Sequence, residues 1–194
     1  MHKGKFFITW LGVAVLSGGM FFSGPLQAEQ VSIHDPVMAT EKGQYFLYST
    51  GPGITFYQSD DLKNWRLAGR VFAQEPTWAK SVSPGFDGHI WAPDIVQHQG
   101  KFYLYYSISA FGKNTSAIGV TVNTTLDPKD PNYQWVDQGI VLQSVPHRDL
   151  WNAIDPAVIL DEQGQAWMSF GSFWAGLKLV KLDQSLTRIA QPEQ

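Results

Sequence analysis

The sequence predicts an all-β protein built from repeated four-stranded units, the organisation of a β-propeller, and three observations predict it. First, a proline-marked strand opening recurs: Ile33-His34-Asp35-Pro36-Val37-Met38 returns as Asn152-Ala153-Ile154-Asp155-Pro156-Ala157-Val158, with a degenerate copy at Trp91-Ala92-Pro93-Asp94-Ile95-Val96. The prolines at 36, 93 and 156 stand 57 and 63 residues apart, and self-similarity at such a period marks stacked or radially arranged units. Second, a glycine turn follows each proline within 7 or 8 residues (Gly43, Gly100, Gly164). An aromatic run comes next: Tyr45-Phe46-Leu47-Tyr48, Phe102-Tyr103-Leu104-Tyr105-Tyr106 or Trp167-Met168-Ser169-Phe170. Third, no helical periodicity of useful length competes with these runs.

The elements follow in order. β-branched or aromatic stretches at 33–40, 44–50, 54–59 and 65–72 are separated by Lys42-Gly43, Gly51-Pro52-Gly53 and Asp60-Asp61-Leu62-Lys63-Asn64, giving four strands. The second unit places strands at 90–98, 102–109, 117–122 and 134–142, and the third at 154–160, 166–171 and 177–182 with a start at 186–190. The units therefore span about 31–72, 90–142 and 152–190. A β-sandwich is the competing all-β reading, but it does not call for such repetition. Propellers close with about four to eight blades, so three units are read as the N-terminal part of a longer, C-terminally truncated propeller domain.

Composition narrows the function. A chain of 194 residues, 44% hydrophobic and 14% aromatic, can bury a sizeable core. Residues 1–28 have the form of a signal peptide: Lys3 and Lys5 form a basic start, residues 6–22 are apolar, and Pro25-Leu26-Gln27-Ala28 ends in a small residue suited to cleavage. Gly12, Gly18 and Gly19 interrupt the apolar run and no stop-transfer charges follow it, which disfavours a membrane anchor. The expected location is secreted, extracellular or periplasmic, with no membrane contact after cleavage. The chain has no cysteine, so its core must hold it without disulfides. With 14 basic against 17 acidic side chains and no basic run, nucleic acid is an unsuitable partner and a neutral ligand a suitable one.

In a propeller the first strand of each blade lines the axis, so residues at its start converge on one mouth. Asp35 and Asp155 occupy the same position, immediately before the strand proline, while the middle unit has Ala92 there and Asp94 two residues on. One isolated Asp-Pro pair is ordinarily a turn residue. Its repetition at equivalent positions points instead to paired carboxylates, which suit acid/base work on a glycosidic bond. Trp91, Phe111, Trp151-Asn152 and Ser172-Phe173-Trp174 lie at strand openings and loops nearby. Sugars offer C–H faces for stacking and hydroxyls for directed hydrogen bonds, so flat aromatic faces beside polar groups suit them. Taken singly, each aromatic is better read as core; Phe173-Trp174, following Gly171-Ser172 at a strand end, is better read as loop lining. Gly119 begins the third strand of the second unit, where a missing side chain would allow close approach of a ligand.

Ile33-His34-Asp35-Pro36, Trp91-Ala92-Pro93-Asp94-Ile95, Asn114-Thr115-Ser116-Ala117-Ile118-Gly119, Asn152-Ala153-Ile154-Asp155-Pro156 and Gly171-Ser172-Phe173-Trp174 together resemble glycoside hydrolase family 43, specifically its endo-arabinanases. The resemblance implies a five-bladed propeller that cleaves internal 1,5-α-L-arabinofuranosidic bonds of plant cell-wall arabinan and arabino-oligosaccharides with inversion. By similarity Asp35 would be the general base and Asp155 the carboxylate that orients the acid and raises its pKa. Gly119, Asn152, Ala153, Ile154, Ser172, Phe173 and Trp174 would contact the sugar, beside Trp91 and Phe111. The family's general acid is a Glu at the opening of the fourth blade, which the repeat would place about 60 residues after Asp155, beyond this chain. No cofactor is required for the chemistry. The resemblance implies a structural calcium on the propeller axis, and His34, His89, His98 and His147 lack the spacing of metal ligands, so its ligands are not expected in this chain. An exo-acting arabinofuranosidase or xylosidase and a non-catalytic sugar-binding propeller piece stay open as alternatives.

Cleavage after Ala28 should leave a mature protein beginning at Glu29. N-terminal sequencing of protein from the culture medium or periplasm checks this, and recovery with Lys3 and Lys5 intact would refute export by this route.

Overall fold

The computed structural model describes residues 31–191; the signal peptide expected at 1–28 lies outside the described residues. In chain order the elements are β1 (Val37–Glu41), β2 (Gln44–Ser49), the two-residue β3 (Gly51–Pro52), β4 (Thr55–Ser59), β5 (Arg66–Arg70), the single-turn α1 (Ala79–Val82), β6 (His89–His98), β7 (Lys101–Ile108), β8 (Ser116–Asn123), β9 (Val136–Ser144), β10 (Ala157–Leu160), β11 (Ala166–Phe170) and β12 (Lys178–Lys181). They form three antiparallel sheets with strand orders β1-β2-β4-β5, β3-β6-β7-β8-β9 and β10-β11-β12. The inner strand β6 touches β1 on one side and β10 on the other, so the sheets stand side by side as successive blades.

Three details depart from the sequence expectation. The inner strands begin later than expected, at Val37 and Ala157, because the residues before the prolines turn left-handed. Gly51–Pro52 leaves the first sheet and pairs with Ile90 and His89, stitching blade one to blade two. The fourth strand expected at 186–190 is reduced to a single bridge between Leu182 and Ile189, flanked by Asp183 N–H to Arg188 O and Ala190 N–H to Lys181 O, both 2.9 Å. The tight Asp183-Gln184-Ser185-Leu186 turn, with Leu186 at φ 59°, brings the chain back beside β12 for only these few residues.

Two hydrophobic clusters fill the two spaces between sheets. Phe46, Tyr48, Ile54, Phe56, Phe102, Leu104 and Tyr106 pack between the first and second sheets, and Tyr103, Tyr105, Ile118, Val120, Val158, Met168 and Phe170 between the second and third. Side chains alternate across a strand, so the β7 run Phe102-Tyr103-Leu104-Tyr105-Tyr106 sends three residues into one cluster and two into the other. This is why the run is almost wholly aromatic rather than alternating with polar residues. Each fully buried side chain of this size contributes about 1.5–3 kcal/mol. The outer faces of the end sheets carry apolar residues too. Met38, Leu47, Tyr57 and Leu67 are in register across the first sheet, and Ile159 and Leu179 are exposed on the third.

Polar ties join the blades at both ends of the inner strands. Glu41 Oε2 accepts from Thr125 Oγ1 at 2.9 Å and from Leu126 N–H at 2.6 Å, linking blades one and two. Asp94 Oδ2 accepts from Val158 N–H at 2.6 Å, linking blades two and three, and burial pushes this carboxyl's pKa up. Asp94 thus serves as an inter-blade strut. Asp94→Ala should cost about 1–3 kcal/mol by leaving the Val158 N–H without an acceptor, and Asp94→Asn, which keeps one, should cost less. Urea unfolding of both variants checks this, and equal losses would refute the strut.

Candidate active site

The site is assembled by a backbone conformation that all three blade openings share. Asp35, Ala92 and Asp155, each followed by proline, have φ of 47°, 42° and 57°. This left-handed region is sparsely used by residues other than glycine and is maintained only where the surroundings enforce it. Register confirms the equivalence: Thr50 N–H donates to His34 O at 3.0 Å, Trp91 pairs with Ser107, and Gly171 N–H donates to Ile154 O at 2.8 Å. Thr50, Ser107 and Gly171 therefore occupy one repeat position opposite the residue that precedes each left-handed one.

The first two of these positions carry hydroxyls that act across blades. Thr50 Oγ1 accepts from Ala92 N–H at 2.7 Å, and Ser107 Oγ accepts from Asp155 N–H at 3.1 Å. Gly171 breaks the pattern, since a Cβ there would lie 2.7 Å from the Gly176 carbonyl oxygen, where the 172–177 loop folds back.

Asp35 and Asp155 are brought into electrostatic contact. Partial burial raises the pKa of Asp155, the nearby Asp35 raises it further, and His34 opposes the rise. A carboxyl kept from ionising by a neighbouring carboxylate is the usual electrostatics of an acid/base pair. Asp35 Oδ2 accepts from Thr50 Oγ1 at 2.7 Å and lies 2.7 Å from His34 Nδ1.

A cavity of about 450 Å³ opens between the tops of blades two and three; Trp91 and Ile154, which precede Ala92 and Asp155 in the chain, line it, whereas Asp35 and Asp155 do not. Of the residues singled out in the sequence, Trp91, Phe111, Asn152, Ile154, Ser172, Phe173 and Trp174 line it. Asn152 is buried, and its Oδ1 has no hydrogen-bond partner in the protein and almost no exposed surface of its own. Phe111 and Phe173 are 95% and 84% exposed, so these rings are surface platforms rather than core. Phe173 and Trp174 have φ of 55° and 42°, held by Gly176 N–H to Phe173 O and Ala175 N–H to Leu150 O, both 2.7 Å.

Two sequence candidates are placed elsewhere. Gly119 is buried in the middle of β8, opposite Tyr106. A Cβ there would lie 2.6 Å from the Tyr106 ring and 2.8 Å from Trp78, so its missing side chain makes room for these two rings. Ala153 is fully buried, with its N–H donating to Ser144 Oγ at 3.0 Å, and acts as backbone support for its neighbours. Ala110, Gly112, Lys113 and the two hydroxyls Thr50 and Ser107 went unnoticed in the sequence. Thr50 and Ser107 had a detectable signal, since they are 57 residues apart, the spacing of Pro36 and Pro93. Among the described residues no three His, Asp or Glu side chains converge to hold a metal ion.

Successive antiparallel blades with two interacting carboxylates at one mouth, and an aromatic-walled cavity between two blade tops, define a propeller of the glycosidase type. Residues 29–194 match the family described as Glycosyl hydrolases family 43, and the chain belongs to that family. Its members related to this chain are five-bladed β-propellers, of which it supplies about three blades. It is 63% identical over 186 residues to the extracellular exo-alpha-(1->5)-L-arabinofuranosidase ArbA of Cellvibrio japonicus (strain Ueda107), covering 96% of this chain and 53% of that protein. It is 37% identical over 183 residues to the extracellular endo-alpha-(1->5)-L-arabinanase 1 of Bacillus subtilis (strain 168), covering 89% and 55%. Among solved structures, Cellvibrio cellulosa alpha-L-arabinanase complexed with arabinohexaose superposes with a TM-score of 0.84 at 67% identity, covering 86% of this chain and 53% of that one. The chain thus spans about half the length of these relatives.

The Asp35→Asn variant should lower the titration midpoint of Asp155, because one source of repulsion is lost, yet leave it above the ordinary carboxylate value, because burial is the larger cause. Carboxyl-carbon NMR titration checks this, and an unmoved midpoint would separate the two groups electrostatically.

Proposed function

We propose that the protein carrying this chain is a secreted hydrolase of arabinan that cleaves 1,5-linked α-L-arabinofuranose by inversion. The observation that carries the reading is the convergence of Asp35 and Asp155 at equivalent blade positions, with an aromatic-walled cavity reaching Ile154, the residue before Asp155. Export is supported by the form of residues 1–28 and by relatives that are named extracellular.

In this reading Asp35 is the general base. With its Oδ2 engaged by Thr50, its other oxygen is free to take a proton from water on the face of the sugar opposite the acid. Inversion requires roughly 6.5–9.5 Å between base and acid to leave room for that water. Asp155 raises the pKa of the acid by its charge and holds that acid in place, so the acid stays protonated until it gives its proton to the departing sugar oxygen. Trp91, Phe111, Phe173 and Trp174 stack on sugar faces, and Asn152, Ile154 and Ser172 complete the wall. The acid itself is assigned to the following blade, so residues 29–194 alone should not turn over arabinan.

Internal cleavage is the mode favoured by the family motifs. Exo action is the second reading, favoured by the 63% identity to a protein named an exo-arabinofuranosidase. Linear 1,5-arabinan treated with the full-length protein distinguishes them. Viscosity that falls ahead of reducing-end release indicates endo action, and short products released without early viscosity loss indicate exo action. Asp35→Asn should lower kcat at least about 10³-fold while arabino-oligosaccharide affinity stays within a few-fold, since proton acceptance is lost and little else. Retained anomeric configuration in the product would overturn the role of Asp35.

A further inference from the structure

We infer that Thr50 is a positioning residue for Asp35, fixing which carboxylate oxygen faces the water; this rests on Asp35 being the base. Thr50 follows the end of β2, and its hydroxyl makes two contacts at once. It donates to Asp35 Oδ2 at 2.7 Å and accepts from the Ala92 N–H at 2.7 Å. Both contacts use up the hydroxyl's single proton and one of its lone pairs, so the direction of each bond is determined. The N–H can only donate, the oxygen facing it must accept, and the proton of Thr50 is left for the carboxylate.

His34 Nδ1 lies 2.7 Å from the same oxygen, so Oδ2 is held from two sides and no protein donor reaches Oδ1 among the described residues. One oxygen of the carboxylate is thereby a fixed anchor and the other a free acceptor. The Ala92 N–H belongs to the left-handed opening of the neighbouring blade, which makes the anchor part of the inter-blade joint rather than of a mobile loop. Repetition supports a built device. Ser107, at the same repeat position, accepts the N–H of Asp155 in the same way, but has no carboxylate to receive its proton because its own blade opens with Ala92. The hydroxyl-to-N–H joint is thus common to both blades, and the bond to a carboxylate is added in blade one alone.

The test compares three forms of the full-length protein on arabinan: wild type, Thr50→Val and Thr50→Ser. Valine matches threonine in shape and lacks the hydroxyl, whereas serine keeps it. Misplacing a reacting group by a fraction of its working distance costs on the order of 10–100-fold in rate. Thr50→Val should therefore lower kcat about 10–100-fold with KM within about threefold, while Thr50→Ser stays within about threefold of wild type in both. Thr50→Ala provides the same comparison should valine crowd the site and prevent folding. Hydroxyl-free variants with near wild-type kcat, or a serine variant as impaired as valine, would overturn the assignment. Wild-type protein that leaves arabinan intact would instead defeat the proposed function, so the two failures are distinct.

Discussion

The hydrogen bond from the backbone N–H that opens one blade to a hydroxyl at the end of the second strand of the blade before it is the interaction on which the rest of this structure depends. It links Ala92 to Thr50 and Asp155 to Ser107. Each opening residue is left-handed, a conformation with a steric cost for a residue bearing a Cβ. That cost is offset where the N–H of the strained residue finds an acceptor that the neighbouring blade already supplies. The strain is therefore shared by the joint.

The joint is firm because the strands behind it are buried on both faces. β7 feeds Phe102, Leu104 and Tyr106 into one core and Tyr103 and Tyr105 into the other, so blade two cannot shift against one neighbour without disturbing the other. Close-packed interiors transmit such displacement rather than absorb it. Asp94 and Glu41 add polar ties along the same inner strands. Against this rigid base the aromatic platforms Phe111 and Phe173 stand on exposed loops, a division of labour in which the scaffold sets the chemistry and the loops set what fits. The loop carrying Phe173 and Trp174 is itself constrained, since Gly171 gives way to its return and Leu150 O anchors it.

Much of this was legible from the residues alone. The period of the prolines, the glycine turns and the aromatic runs located the blades, because strand pairing and burial impose a pattern at short range. The placing of Asp35 and Asp155 at equivalent positions was readable for the same reason. Gly119 marks a limit of sequence reading, because the absence of a side chain looks alike whether a ligand or a neighbouring ring takes the space, and the approach of Tyr106 and Trp78 is visible only in three dimensions. Ala153 is flanked by cavity-lining residues while its own side chain is buried, a difference between neighbours that the sequence does not show.

The sequence by itself determined the class of fold, the number of repeated units and the two carboxylates, since each is written in local spacing and in the choice of β-branched and aromatic residues. Only the tertiary structure decided that Asp155 feels Asp35, that Thr50 joins Asp35 to Ala92, and that Trp91, Phe111 and Trp174 wall one cavity. These facts depend on the contact of side chains from different blades, separated by tens of residues along the chain. Hydrogen bonds and Coulomb interactions act over a few ångströms in space, so a linear sequence holds their partners without showing that they meet.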